Sequence, residues 1–570
     1  MTEVSNSIIT PNNPENPLAE VDQETVLFAV EIFQQRFAMF SFLHGPTLLS
    51  LIYGKRALDL RFCGILAVCA RFIPKLIRRH GGSQSASEHF AAYLRSKITC
   101  QTARGYEISV AQALLLLSFH DWGSAKGVQA WTYIGMATRN CCSILARLAN
   151  EKAHKSKDAL QTETEEARRT LWACLMIESL LGCGHLRSLS LHAKIYNVPL
   201  PTSDEDYAFG VCRTDDPKYL EVLDLENSDP PNMQRLTGNS HEIDFALVIQ
   251  GFNIWCEVSR WISTGGNRSG ATILTEGTRN LSSFWTRSLM ALKDWREIQP
   301  PRFHYTLAGS HLQAFISRKQ GERYALVNLI FFLTTIFLYR EHVPLVPRNA
   351  QEMDRPESAS FRGGASIDWP KDSANRLSES ALSIIRMMNE LTSQGLTLHV
   401  PFTCYCVFNA ITILSYVKRW PATSLRHGSV VESFNWGFEW LSKASETWEV
   451  ARAWKATLMK IESSHDCPPS ESQIFPRSEA EFESLSDLAI PTAGQEPTTQ
   501  PRQPGMDQNT TSGSNTAARP NLTTLDDIMR WGSSASYSDM SWLSINSMFL
   551  DYDLMMGAQE DPTVDPVNSY

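Results

Sequence analysis

Val110-Ala111-Gln112-Ala113-Leu114-Leu115-Leu116-Leu117-Ser118-Phe119-His120-Asp121-Trp122-Gly123 decides the fold class of this chain. The apolar run that begins at Ala113 is unbroken, as suits a helix buried on most sides. Gly123-Ser124-Ala125-Lys126-Gly127 reads as a turn. It lacks the spacing of a phosphate-cradling loop, and no β-branched strand precedes it. Val128 to Leu148 is the next helix, Asn150 to Thr164 a polar connection, and Ala167 to Leu181 a third helix. Working outward, apolar residues recur at helical spacing in Val21–Leu49, Phe62–His80, Glu88–Lys97, Ile243–Trp261, Thr278–Trp295, Tyr324–Glu341, Ala374–Leu391, Pro401–Lys418 and Ser433–Lys460. His44-Gly45-Pro46-Thr47 is expected to break the first of these, and Gly81-Gly82-Ser83 to follow the second. No region alternates with period two, so the expectation is an all-α fold of about ten to twelve helices.

The totals are those of a globular chain, with 43% apolar and 20% charged residues among 570. A net charge of −9 gives the whole no basic footprint for neutralising phosphates. Arg71, Lys75, Arg78, Arg79 and His80 form a local basic run. It can be read as a phosphate-contacting helix or as a solvated helix end whose cations complement the dipole. The longest apolar run, Tyr324 to Tyr339, spans about 16 residues and is expected to be a buried core helix, being shorter than a membrane span. The 12 cysteines follow no disulfide framework, and buried free thiols in a reducing compartment are expected. Residues 1–20 carry no apolar signal segment and read as disordered, residues 21–465 as the helical domain, and residues 466–520 as a disordered Ser/Pro/Thr/Gln-rich linker.

The tail, residues 521–570, holds eight acidic residues against one basic residue, Arg530. Trp531, Trp542, Leu543, Phe549, Leu550 and Leu554 lie among those acids. Aromatic and aliphatic groups kept solvated by neighbouring acids can fold onto a coactivator groove, and these six are the candidate contacts. The alternative is a tail that docks on its own domain.

Several quoted elements carry a resemblance. The Gln112-Ala113-Leu114-Leu115-Leu116-Leu117 helix, Arg168-Arg169-Thr170-Leu171-Trp172, and Leu200-Pro201…Phe209-Gly210 occur in order, preceded by Phe40-Ser41-Phe42-Leu43-His44-Gly45-Pro46-Thr47. Together they resemble the regulatory (middle homology) domain of fungal-specific transcription factors, over roughly Phe33 to Lys460. The sequence departs from that pattern at Ile144-Leu145-Ala146-Arg147, at Glu178-Ser179 and at Arg187-Ser188. The resemblance implies a nuclear regulator of RNA polymerase II transcription, with homo- or heterodimerisation and a small-molecule effector as expected modes of control and no membrane partner. Family members usually carry a binuclear zinc cluster, which needs closely spaced C-x-x-C pairs. No two cysteines here stand three apart, so no metal or other cofactor is expected in this sequence. DNA contact is expected through a partner or through a zinc-cluster head missing from it. A headless protein that heterodimerises with full-length relatives and inhibits them is the alternative.

No catalytic constellation is found. His241-Glu242-Ile243-Asp244 is not a zinc-protease helix, His120-Asp121 lacks a third ligand, and there is no nucleophile elbow. An all-α enzyme is therefore the least favoured reading, and Leu525-Asp526-Asp527 alone makes no acidic metal motif. The candidate effector-cavity residues are Trp131, Arg139, Arg168, Arg169, Trp172 and Arg187, where aromatic and cationic groups cluster with His185 nearby in sequence. The competing expectation is that the tryptophans are core and the arginines pair with Glu165, Glu166 or Glu178 at helix spacings.

Overall fold

In the computed structural model, the described residues are 16–54, 59–102, 105–150, 157–182, 197–211, 218–220, 242–263, 284–307, 309–340, 369–419 and 427–465. All of them belong to one compact unit. Among them there are seventeen α-helices and no strand, so the all-α expectation holds, with more and shorter helices than the apolar pattern suggests.

The extra boundaries have local causes. The stretch Val21–Leu49 is two helices, α1 (Gln23–Arg36) and α2 (Gly45–Tyr53). Gly45-Pro46 opens the second rather than ending the first, because proline lacks the N–H that the first turn leaves unused. Pro74 does the same, dividing Phe62–His80 into α3 (Leu60–Cys69), a short 3-10 turn, and α4 (Pro74–His80). Gly81 then takes φ 76°, the left-handed conformation that closes a helix. Pro17–Glu20 corrects the disordered N-terminal expectation at its end: it is a 3-10 turn capped by Asn16, with Leu18 buried.

Three helices follow: α5 (Ser83–Thr102), α6 (Ile108–Gly123) and α7 (Gly127–Asn150). With α8 (Lys157–Gly182) they form the first layer of the body. Every residue of α6 from Val110 to Gly123 is buried, because α3, α5, α7 and α8 all pack on it. That agrees with the all-round apolar reading of this stretch. A five-residue helix, α9 (Asp204–Ala208), is capped by the Ser203 side chain.

The second half is built around one helix. After α10 (Phe245–Ser263), α11 (Phe284–Glu297) and α12 (His311–Ser317) comes α13 (Gly321–Arg340). This helix is long and apolar enough to cross a membrane by length and composition, but it is largely buried within the protein, as expected for a core helix. It packs on α10, α11 and α12, and on α14 (Trp369–Ser393) and α15 (Pro401–Arg419). The final pair is α16 (His427–Ala444) and α17 (Glu449–His465), which the apolar pattern reads as one helix. The chain breaks between them at Trp448. Its indole is fully buried and donates to the His399 carbonyl at 2.7 Å, and the Arg71 guanidinium lies 3.7 Å from the ring centroid. A β-carbon on Gly123 would meet that ring at 2.2 Å, so the end of α6 needs glycine for the close approach.

Candidate functional site

Helix α8 displays its polar side chains on two faces by simple periodicity. Glu165, Arg169 and Trp172 fall four and three residues apart on one face; Glu166 and Thr170 share another. The second face is tied inward. Gln112 of α6 donates to Glu166 Oε1 at 3.0 Å and to Thr170 Oγ1 at 3.2 Å, and Arg61 of α3 donates to the same Glu166 oxygen at 3.3 Å.

The first face meets the segment 199–207 and builds a buried charge cluster. Arg169 is fully buried, and its guanidinium is saturated. Its Nε donates to Glu165 Oε1 at 3.0 Å. Nη1 donates to Asp204 Oδ1 at 2.6 Å and to the Ser41 carbonyl at 2.9 Å, and Nη2 to the Thr202 carbonyl at 2.7 Å. The plane lies 4.2 Å from the Tyr207 ring centroid. Asp204 also pairs with Arg323 of α13 at 2.5 Å. Burial raises the Asp204 pKa, but Arg323 and Arg169 outweigh it and hold the carboxyl below its ordinary range. Glu165 accepts the Thr202 amide at 2.9 Å and Arg168 Nη1 at 2.6 Å. Trp172 donates from its indole to the Pro199 carbonyl at 2.9 Å.

Tyr207 extends the cluster to the His44-Gly45-Pro46-Thr47 turn. Its hydroxyl donates to the Phe42 carbonyl at 3.0 Å, and its own carbonyl lies 3.0 Å from His44 Nε2. A carbonyl only accepts, so that nitrogen carries the proton and Nδ1 accepts from Thr47 Oγ1 at 2.7 Å. Burial lowers the His44 pKa, which keeps the ring in this neutral form at pH 7. The three motif elements quoted above (the His-x-Pro-Thr turn, the Arg-Arg-Thr-x-Trp helix, and the Leu-Pro…Phe-Gly segment) thus converge on one arginine.

Of the six candidate effector residues, the structure brings together Arg168, Arg169 and Trp172. Arg168 and Arg169 pair with Glu165 three and four residues away, as the helix spacing suggests, and Trp172 is core. Trp131 is half-buried on α7 against the core, and Arg139 is exposed on the same helix. Arg187 and the tail residues Trp531, Trp542, Leu543, Phe549, Leu550 and Leu554 lie outside the described residues, as do the segments 466–520 and 521–570. Sequence reasoning missed Asp204, Tyr207, Arg323 and Ser41. Asp204 looks like a helix-start acid, and nothing local marks the others as partners of Arg169.

Arg71, Lys75 and Arg79 of the local basic run are engaged internally. Arg71 is buried and donates to Thr447 O at 3.0 Å, and its Nη2 lies 3.0 Å from His120 Nδ1, which is also 2.9 Å from the Ala67 carbonyl; burial lowers the Arg71 pKa to about 9, still a cation at pH 7. Lys75 pairs with Asp22, and Arg79 with Glu20. His120 Nε2 faces Glu88 at 3.1 Å, where Arg95 and Lys126 also converge, so that carboxylate is neutralised by cations. Among the described residues no group of three or more His, Cys, Asp or Glu side chains could hold a metal ion, and the nine cysteines described there are free thiols. These residues therefore do not fit a zinc cluster. A small cleft lies elsewhere, between the turn after α1, Phe119, α13 and the entry to α15; none of the six candidate effector residues lines it.

Residues 30–213 match the model of the fungal specific transcription factor domain. Among curated proteins, the chain is 27% identical over 423 residues to a transcriptional regulatory protein of Schizosaccharomyces pombe, covering 70% of this chain and 58% of that one. It is 22% identical over 375 residues to the Zn(2)-C6 fungal-type transcription factor FTF1c of Fusarium oxysporum f. sp. lycopersici, covering 63% of this chain and 37% of the relative. A 22% identity over 424 residues links it to the factor FTF1a of the same fungus, covering 72% and 36%. The chain thus spans between about a third and three-fifths of the length of these relatives. No solved structure matches it. The converging motif elements and the relatives agree with that match: residues 30–213 are similar to the fungal specific transcription factor domain.

Proposed function

We propose that this chain is a nuclear regulator of RNA polymerase II transcription, acting through its helical domain and its acidic-aromatic tail. The observation that carries the reading is the domain match over residues 30–213, whose motif elements meet around Arg169. The network ties α8, α9 and α13 into one body, as suits a rigid element that presents surfaces to partner proteins. The tail supplies the second function. Residues 521–570, with Trp531, Trp542, Leu543, Phe549, Leu550 and Leu554 among acids, have the composition of a segment that folds onto a coactivator. We propose that DNA contact comes through a dimeric partner or through a zinc-cluster head, the Fusarium relatives being Zn(2)-C6 fungal-type transcription factors.

The test separates the two parts. Residues 521–570 and the full chain are each tethered to an unrelated DNA-binding domain upstream of a reporter. The tail alone should activate, and Trp542→Ala with Phe549→Ala should remove most of that activity. Loss of the chain in its own fungus should change a defined set of transcripts. A silent tail would overturn the coactivator assignment, and an unchanged transcript profile would overturn the regulatory one.

A further inference from the structure

His120 lies on α6 with its ring buried, and both of its nitrogens are engaged. Nε2 faces Glu88 Oε2 of α5 at 3.1 Å, with Ser124 Oγ at 3.4 Å. Nδ1 has two neighbours of opposite character. The Ala67 carbonyl, an acceptor, lies at 2.9 Å, and Arg71 Nη2, a permanent donor, at 3.0 Å. One nitrogen cannot donate to Ala67 and accept from Arg71 at once. The ring therefore has two hydrogen-bonded arrangements, and its proton count selects between them.

In the neutral ring the proton sits on Nε2, because the Glu88 carboxylate only accepts. Burial raises the Glu88 pKa, but hydrogen bonds from His120 and Arg95 outweigh it and hold that group below the ordinary carboxylate range. Nδ1 is then an acceptor and takes an Arg71 N–H. Burial lowers the His120 pKa, against the opposing Glu88 hydrogen bond, so the neutral arrangement is the one present at pH 7. A second proton goes to Nδ1 and makes it a donor. It then suits the Ala67 carbonyl, which stands in the last turn of α3, where carbonyls run out of partners within the helix. Arg71 loses its acceptor and meets an imidazolium instead.

Arg71 is fixed to Ser87 Oγ at 3.2 Å, and its far end holds the corner between α16 and α17. There Nη1 donates to the Thr447 carbonyl at 3.0 Å, and the guanidinium lies 3.7 Å from the Trp448 ring centroid. We propose that His120 is an acid-operated switch: its protonation exchanges Arg71 for the Ala67 carbonyl at Nδ1, shifts the guanidinium against Trp448 and loosens the corner between α16 and α17. The charged groups around the ring set its poise. Arg95 of α5 bridges Glu88 and the buried Asp121, whose Oδ1 lies 3.9 Å from Nε2, and Lys126 after α6 adds a second cation on Glu88. Cys69 of α3 and Glu449 of α17 act on Arg71, and Tyr133 of α7 faces Asp121 and Arg95. The switch does not depend on the transcriptional reading above.

The experiment is fluorine NMR of the full chain labelled with fluorotryptophan, the Trp448 resonance being assigned by its absence in Trp448→Phe. As pH falls below 6.5, the ordinary histidine value, that resonance should move through a single protonation step while circular dichroism still shows the native helix content. His120→Gln, neutral at every pH, should abolish the step. Glu88→Gln removes the carboxylate facing Nε2 from a half-buried position and should lower the midpoint by about one pH unit, which keeps the test open should His120→Gln fail to fold. A step that survives in His120→Gln, a midpoint unmoved by Glu88→Gln, or a Trp448 resonance that stays in place until the helices melt would overturn the proposal.

Discussion

Arg169 and Glu322 are both buried ionisable side chains near the middle of the fold, and they have been treated in opposite ways. Around Arg169 each hydrogen-bonding nitrogen has a partner, two carboxylates balance the charge, and an aromatic ring covers one face. Around Glu322 a single amide satisfies one oxygen, and the other has no hydrogen-bond partner. The fold compensates a permanent charge by building a lattice of partners around it. A lone carboxyl is treated differently: burial raises its pKa well above the ordinary value and so favours the protonated form. Saturation makes the first region scaffold; the second is a buried acid with one oxygen unpaired.

Arg169→Met would break the contrast most severely. It leaves Glu165 and Asp204 buried with fewer partners and strips donors from three backbone carbonyls. A loss of about 3–5 kcal/mol is expected, read as a lower midpoint in chemical denaturation. Glu322→Gln should act with the opposite sign. The unfolded carboxyl ionises above its ordinary pKa of 4.5, while burial holds the proton on the folded one to higher pH, so Glu322 lowers stability progressively as pH rises above that value. The amide variant should be about 1–2 kcal/mol more stable than wild type at pH 8, with the advantage disappearing by pH 4; unfolding at the two pH values checks this. A smaller effect is expected at the edge of the scaffold. Tyr207→Phe removes the hydroxyl bond to the Phe42 carbonyl and should cost about 1 kcal/mol in the same assay. Least of all, Arg139→Ala on the exposed face of α7 should stay within about 0.5 kcal/mol, and a larger loss would return that residue to consideration as a functional group.

The difference between the regions also shows what a sequence makes legible. The helix α6 and the apolar helix α13 were readable because unbroken apolar runs report burial directly. Helix starts at Gly45-Pro46 and Pro74 were not, since proline ends some helices and begins others, and only the neighbouring packing decides. Within the site, Arg168 and Arg169 could be paired with Glu165 because helix geometry fixes partners three and four residues away. Asp204, 35 residues distant, and Ser41, 128 residues distant, are brought in by tertiary packing that no local pattern encodes. Glu322 gave a misleading local signal. An acid in the first turn of a helix normally complements the dipole in solvent, and only the segments that close over α13 turn it into a buried acid.

The most direct measurement of the account is the protonation state of Glu322. Infrared difference spectra of wild type against Glu322→Gln at pH 7 should contain the carbonyl band of a protonated carboxylic acid, absent from the variant. A difference spectrum with only the carboxylate bands would mean that Glu322 is ionised. The contrast between a saturated scaffold and a protonated buried acid would then be wrong.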